Sequence, residues 1–187
     1  MSLILASASP RRKELISFIS DDVRIIPSDA DETLPEEIIP SKASEYLSAI
    51  KAESVYNLHP DDIVIGCDTI VLADDEILGK PKDREDAFRM LKLLSGNVHQ
   101  VITGVTIISK ERRETFSEST DVEFYPLSDE EIYSYIDTKD PFDKAGAYGI
   151  QTQGCLLVRG VKGDFFNVVG LPVAELKRHL DKFFMKP

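Results

Sequence analysis

The sequence predicts an α/β fold built on a mixed sheet, and three observations carry that expectation. Short apolar runs alternate with stretches of helical periodicity, so several strands are joined through helices, as parallel pairing requires. Residues 98–108 and 114–124 instead show strand-like alternation or β-branched content on either side of the charged turn Lys110-Glu111-Arg112, the pattern of a long hairpin. A hairpin excludes a purely parallel, doubly wound sheet. Finally, 187 residues of which 42% are apolar suit a single domain over residues 1–187, or one sheet split into two lobes, with a sizeable core.

Taken in order, Leu3-Ile4-Leu5-Ala6 is an apolar strand, and Ser7-Ala8-Ser9-Pro10 leads into a helix with proline in its first turn. Residues 23–26 form a second strand, whereas 27–40 are acidic, hold three prolines and lack periodicity, which makes them a loop. Ala43, Tyr46, Leu47, Ile50 and Val55 share one face of a helix over 41–58, with Lys51 on or near its end. Residues 62–67 and 70–73 read as two buried strand pieces interrupted by the polar pair Asp68-Thr69. After the turn Gly79-Lys80-Pro81, Asp83 and Asp86 form a helix-start arrangement for 87–94, closed by Ser95-Gly96. Ser128-Asp129-Glu130-Glu131 is a capping box for a helix through Ile136. Residues 156–159 and 165–169 read as closing strands about Gly160 and Gly163, and 172–184 as a terminal amphipathic helix.

Charge and composition exclude several function classes. With 22 Lys and Arg against 33 Asp and Glu, the net charge of −11 argues against a nucleic-acid polymer as partner. No apolar run approaches the ~18 residues of a membrane span. Residues 1–8 are too short, and too abruptly followed by charge, for a signal peptide, so the protein is expected to stay in the cytoplasm. The two cysteines, Cys67 and Cys155, have no partner at metal-type spacing, which suggests neither a disulfide framework nor a zinc site.

Against that acidic background Ser7, Ser9, Arg11, Arg12 and Lys13 form the densest donor cluster, where a strand hands over to a helix. Unpaired N–H groups and guanidinium forks suit phosphate there, while a serine-capped, solvated first turn is the structural alternative and the one favoured on position alone. Asp68, following a buried run, is expected at a strand end, where open α/β sheets hold ligands; a turn-capping acid is the alternative. Glu32 is surface unless the fold brings it to Asp68, in which case two carboxylates without histidine or thiolate would select a hard cation such as Mg2+ or Mn2+. Lys80 is not a P-loop lysine, since the earlier glycine and the following hydroxyl are missing, and in isolation it reads as a turn residue. The run Lys144-Ala145-Gly146-Ala147-Tyr148-Gly149-Ile150-Gln151 suits a backbone approaching a ligand or another chain segment, and Gln151 could read a base edge. His59, His99 and His179 show no nucleophile-base pattern; His99 reads as structural.

Together these stretches resemble the Maf-like nucleoside triphosphate pyrophosphatases, a family also linked to inhibition of septum formation. The resemblance runs nearly end to end: Leu5-Ala6-Ser7-Ala8-Ser9-Pro10-Arg11-Arg12, Asp31-Glu32, Lys51, Gly66-Cys67-Asp68-Thr69, Gly79-Lys80-Pro81, Leu94-Ser95-Gly96, Thr103-Gly104-Val105, the 144–151 run and Val169-Gly170-Leu171-Pro172. Arg11, Thr69 and Gln151 fit the branch acting on dTTP and UTP. The sister branch acting on 7-methyl-GTP has an aromatic residue at the place of Arg11 and a different one at Thr69. Cys67 departs from the alanine or serine expected there, a change that a small buried thiol should absorb.

The resemblance implies an elongated twisted sheet flanked by helices in two lobes with a cleft between, as in inosine triphosphatase. It also implies hydrolysis of dTTP, UTP and modified pyrimidine triphosphates to the monophosphate and pyrophosphate, a house-cleaning role, and a homodimer. By the same resemblance Asp68 is the proton acceptor and Glu32 with Asp68 holds a divalent metal. Arg12, Lys51 and Lys80 surround the phosphates, Ser7 and Ser9 add donors, and Arg11, Thr69 and Gln151 select the base. A nucleotidyltransferase would need a second substrate site, for which no sequence signal exists. A nucleotide-binding regulator of cell division with little turnover is the alternative from a different class, opposed by the retained Asp68, Glu32 and Lys51.

Overall fold

The computed structural model describes residues 2–184. Its strands are β1 (Leu3–Ala6), β2 (Val23–Ile25), β3 (Ile63–Ala73), β4 (Glu76–Leu78), β5 (Val98–Ile108), β6 (Arg113–Phe124) and β7 (Val158–Lys162). They form one seven-stranded sheet of order β2-β1-β3-β5-β6-β7, with β4 paired to β3. β1 is parallel to β2 and β3, whereas β3/β4 and β6/β7 are antiparallel, so the sheet is mixed as expected. The helices are α1 (Pro10–Ile16), α2 (Ala43–Tyr56), α3 (Arg84–Leu94), α4 (Asp129–Asp137), α5 (Phe165–Val169) and α6 (Val173–Phe184).

The chain forms two units. The first takes the described residues up to Asp68, Thr103–Glu118 and those from Gly170 onward; the second takes Thr69–Ile102 and Ser119–Val169. In the first, Ile4, Ala6 and Val64 of the sheet pack with Ala52 and Val55 of α2. In the second, Leu91 and Leu94 of α3, Ile132 and Ile136 of α4, and Phe124 and Tyr148 share one core.

Local signals set most boundaries. Ser9, Asp83 and Ser128 cap α1, α3 and α4 through side-chain oxygens that accept N–H groups of the first turn, and Ser128 with Glu131 completes the capping box. The β5–β6 turn is closed by the Ser109 N–H on the Arg112 carbonyl, 2.8 Å.

Three expectations are corrected. The 62–67 and 70–73 pieces are one uninterrupted strand, β3, and Asp68 sits mid-strand rather than at an end. The polar pair does not break the ladder because the Asp68 carboxylate finds an ammonium partner within its own unit. β3 continues into a tight turn at Asp74 and Asp75, both at positive φ (49° and 63°), which returns the chain as β4, a strand the sequence reading missed. Residues 165–169 are the short helix α5, not a strand. The Asp164 carboxylate accepts the Phe166 N–H at 2.8 Å, and the Asn167 amide donates to the Val101 carbonyl and Thr120 Oγ1, both 2.9 Å. The closing strand β7 instead runs across Gly160, and Leu156 and Leu157 belong to a 3₁₀ turn before it.

One packing feature positions the site. A Cβ on Gly66 in β3 would lie 2.1 Å from the Ser48 carbonyl oxygen and 2.6 Å from the Ala52 nitrogen of α2, and one on Gly104 in β5 would lie 2.3 Å from the Ser44 carbonyl. The backbone of α2 therefore rests directly on the backbone of two strands, which only glycine permits. Lys51 stands on that helix one residue from Ala52.

Candidate active site

β1 is wholly buried and ends where the Ser7 N–H turns back to the Leu5 carbonyl, 3.0 Å. Ser7 Oγ then accepts from the Ser9 N–H at 3.2 Å and from Arg12 Nη1 at 3.4 Å, while Ser9 Oγ accepts the Arg12 N–H. Ser9 is thus the helix cap that the structural alternative required. Arg12 is more constrained than a solvated first-turn arginine, because its Nε donates to the Gly170 carbonyl at 2.9 Å. Arg11 is half-buried beside it. Cys67 lies buried with its thiol on the same Gly170 carbonyl at 3.4 Å, and burial pushes its pKa up.

The loop after β2 brings Glu32 to this region. Ser54 of α2 donates to Asp29 Oδ1 at 2.8 Å and lies 3.3 Å from Ser28 Oγ, pinning the loop to the helix. The Thr33 N–H and hydroxyl close on Asp31 Oδ1 at 3.0 and 2.7 Å, and these hydrogen bonds hold the Asp31 carboxyl below its ordinary range. Between them Glu32 reaches Lys51. The Lys51 Nζ lies 2.8 Å from Glu32 Oε2 and 2.6 Å from Asp68 Oδ1. The side chains of Lys51 and Asp68 are 11% and 12% exposed, whereas that of Glu32 is 56% exposed. The fold therefore unites Glu32, Lys51 and Asp68, the condition the sequence reading set for Glu32. Two carboxylates already converge on one cationic group, and their all-oxygen donor set fits a hard divalent ion completed by phosphate and water oxygens. Among the described residues no larger His, Cys, Asp or Glu cluster of metal-holding form occurs.

The remaining expected residues belong to the second unit. Thr69 follows Asp68 in β3 and is half-buried. Lys80 is exposed after β4, and the preceding Gly79 carbonyl accepts the Gly146 N–H at 3.0 Å, so the Lys80 turn is tied to the 144–151 run. That run meets another chain segment, the second of its two readings: a Cβ on Gly146 would strike the Val71 side chain at 2.8 Å. Gln151 is exposed in a turn closed by the Thr152 N–H on the Gly149 carbonyl, 3.2 Å. His99 is structural as expected: it is buried, its Nε2 lies 2.8 Å from the Tyr148 hydroxyl, and burial lowers its pKa to about 4. Sequence reasoning missed the Gly170 carbonyl, a backbone atom without side-chain signal, and the Tyr135–Asp140 pair.

Fold and site together define an α/β protein with a carboxylate–lysine centre beside an anchored arginine. Its fold is that of the Ham1 protein of Staphylococcus aureus (TM-score 0.56, 15% identity, covering 98% of this chain and all of that one) and of a HAM1 protein from Coxiella burnetii (TM-score 0.51, 11% identity, covering 96% and 98%). Residues 2–183 match the family model described as Maf-like protein, and the chain belongs to that family. It is 52% identical over 184 residues to a dTTP/UTP pyrophosphatase of Bacillus velezensis, covering 98% of this chain and 97% of that one. It is also 52% identical over 176 residues to a protein of that name from Thermosipho africanus, covering 94% and 90%.

Proposed function

We propose that this protein hydrolyses dTTP and UTP, and modified pyrimidine triphosphates of the same shape, to the nucleoside monophosphate and pyrophosphate. The observation that supports the reading is the convergence of Glu32 and Asp68 on the Lys51 ammonium, a carboxylate pair suited to the divalent cation that accompanies a polyanionic substrate. The names of relatives alike over nearly the whole chain support the substrate class. In this reading residues 1–187 act as one enzyme domain in the cytoplasm, on free nucleotides rather than a nucleic-acid polymer or a membrane, and the family resemblance supports a homodimer. Among the described residues no helix is long and apolar enough to cross a membrane.

Asp68 takes the proton of the attacking water as the water oxygen bonds to phosphorus and the α–β bridging bond breaks, with pyrophosphate leaving. Glu32 and Asp68 would hold Mg2+ or Mn2+, which supplies charge neutralisation to the phosphates when bound. Lys51 keeps the Asp68 carboxylate oriented and offers its ammonium to phosphate oxygens. Arg12, its Nε held by Gly170 and its Nη1 on Ser7 Oγ, is oriented to offer its guanidinium to phosphate, with Ser7 and Ser9 as hydroxyl donors. By the family resemblance, Lys80 would meet phosphate, and Arg11, Thr69 and Gln151 would select the base.

Product analysis over a panel of triphosphates with Mg2+ tests the reading: monophosphate and pyrophosphate from dTTP and UTP are expected, and release of orthophosphate, or no product, rejects it. Exhaustive chelation is expected to abolish turnover and added Mg2+ or Mn2+ to restore it; full activity after metal removal would rule out the carboxylate pair as a metal site. Gln151→Ala should lower kcat/KM for dTTP and UTP by ~5- to 150-fold, the effect of leaving one buried polar group of the base unpaired (~1 to 3 kcal/mol), with little change for purine triphosphates. Arg12→Ala, aimed at phosphate, should depress all substrates together. Equal proportional losses in both variants for every base would remove Gln151 as a base reader.

A further inference from the structure

The turn that carries Gln151 is held at both ends by one small network. Its first residue, Gly149, donates its N–H to the Tyr135 hydroxyl at 3.1 Å. Its last, Thr152, donates its hydroxyl to the Asp140 carboxylate, with the Gly149 carbonyl 2.9 Å from the same Oγ1. Tyr135 and Asp140 are themselves joined, hydroxyl to Oδ2, at 2.6 Å. Lys144 locks the assembly from below: its Nζ reaches the Asp140 carbonyl at 2.8 Å, Asp140 Oδ1 at 3.0 Å and Asp143 Oδ1 at 2.6 Å. Its stem lies so close under Gly149 that a Cβ there would meet Lys144 Cε at 2.5 Å. Within the turn, Ile150 packs against the core while Gln151 is exposed.

A glutamine on a surface turn has several rotatable bonds, and discrimination between bases by hydrogen bonding requires its backbone to be fixed in advance. Tyr135 is 5% exposed and Lys144 9%, so the turn is held by polar groups that are themselves buried and little screened by water. Burial works against ionisation of Asp140, yet the hydrogen bonds from Thr152, Tyr135 and Lys144 keep its carboxyl below the ordinary range, so it accepts as a carboxylate. We propose that Tyr135 and Asp140 are positioning residues for Gln151, so that the hydroxyl–carboxylate pair, which touches no substrate, sets the preference for pyrimidine over purine triphosphates. The inference rests on Gln151 as a base reader.

The test compares the ratio of kcat/KM for dTTP to that for dATP in the full-length protein. Tyr135→Phe, which removes one hydroxyl and no ring, should lower the ratio about tenfold, as should Thr152→Val, while Thr152→Ser should restore it. In the Gln151→Ala background, Tyr135→Phe should change the ratio by less than about twofold, because a residue acting through Gln151 has nothing left to position. Thermal unfolding of each variant monitors the fold; should Tyr135→Phe not fold, the Thr152→Val and Thr152→Ser pair carries the same comparison. A wild-type ratio in Tyr135→Phe and Thr152→Val, with a reduced one in Gln151→Ala, overturns the positioning role and leaves the base reader standing. An equal fall in both backgrounds overturns it as well, since that marks a general structural role. A wild-type ratio in Gln151→Ala itself removes the base reader, and the inference falls with it.

Discussion

Asp68→Asn is expected to yield a folded protein that still binds nucleotide and turns it over about 10²- to 10⁴-fold more slowly, the range that a positioned proton acceptor contributes. The amide is nearly isosteric with the carboxylate, so the buried position in β3 keeps its shape. It loses the ability to take a proton from water, and it offers a neutral oxygen where Lys51 and a divalent cation call for an anionic one. Nucleotide binding and turnover measured side by side on the purified variant check this. Undiminished turnover would remove Asp68 from the chemistry. Slow turnover in the wild type itself, with binding intact, would favour the regulator reading over the enzyme.

Gly66→Ala should produce the second large effect, and on a different quantity. The added methyl would lie 2.1 Å from the Ser48 carbonyl oxygen and 2.6 Å from the Ala52 nitrogen, both backbone atoms that cannot swing aside as a side-chain end can. α2 must then lift from the sheet. Overpacking of this kind costs about 3 kcal/mol, which for a chain of this length lowers the melting temperature by roughly 6 to 12 °C. Because Lys51 rides on α2 and Asp68 lies two residues beyond Gly66, turnover should fall together with stability. Gly160→Ala is the control: the nearest atom to its Cβ is Glu123 Oε2 at 3.9 Å, and it should melt with the wild type. A wild-type melting temperature in Gly66→Ala would mean that helix and strand are not in backbone contact.

What the sequence disclosed divides along the range of the interactions involved. The caps at Ser9, Asp83 and Ser128 were legible because each joins residues three apart, and the β5–β6 hairpin because its turn separates two alternating runs. Residues 165–169 misled because Phe-Phe-Asn-Val-Val carries strand-forming side chains. What makes it a helix is the Asp164 cap and the tertiary anchoring of Asn167, which override propensity. The Asp74-Asp75 turn escaped because two non-glycine residues at positive φ give no strong signal. For the site, residue types in motif order could name Glu32, Lys51 and Asp68, but only the pinning of the loop to Ser54 shows that one ammonium serves both acids. The grip of Tyr135 and Asp140 on the Gln151 turn was invisible for the same reason, since neither residue stands out along the chain.

The bond from Arg12 Nε to the Gly170 carbonyl spans 158 residues of chain, and that separation bears on how the protein comes into being. The pairing of β1 with β2 and β3 uses nothing beyond Gly66. At a synthesis rate of ~5 to 20 residues per second, the acceptor for Arg12 leaves the ribosome roughly 5 to 20 s after those strands. The same late carbonyl also receives the Cys67 thiol. The residues of the acidic pair and the ammonium between them thus emerge well before the carbonyl that fixes the guanidinium. A chain stalled on the ribosome before Gly170 would therefore present Arg12 without its anchor, so the order of synthesis makes this guanidinium one of the later groups to be fixed in place.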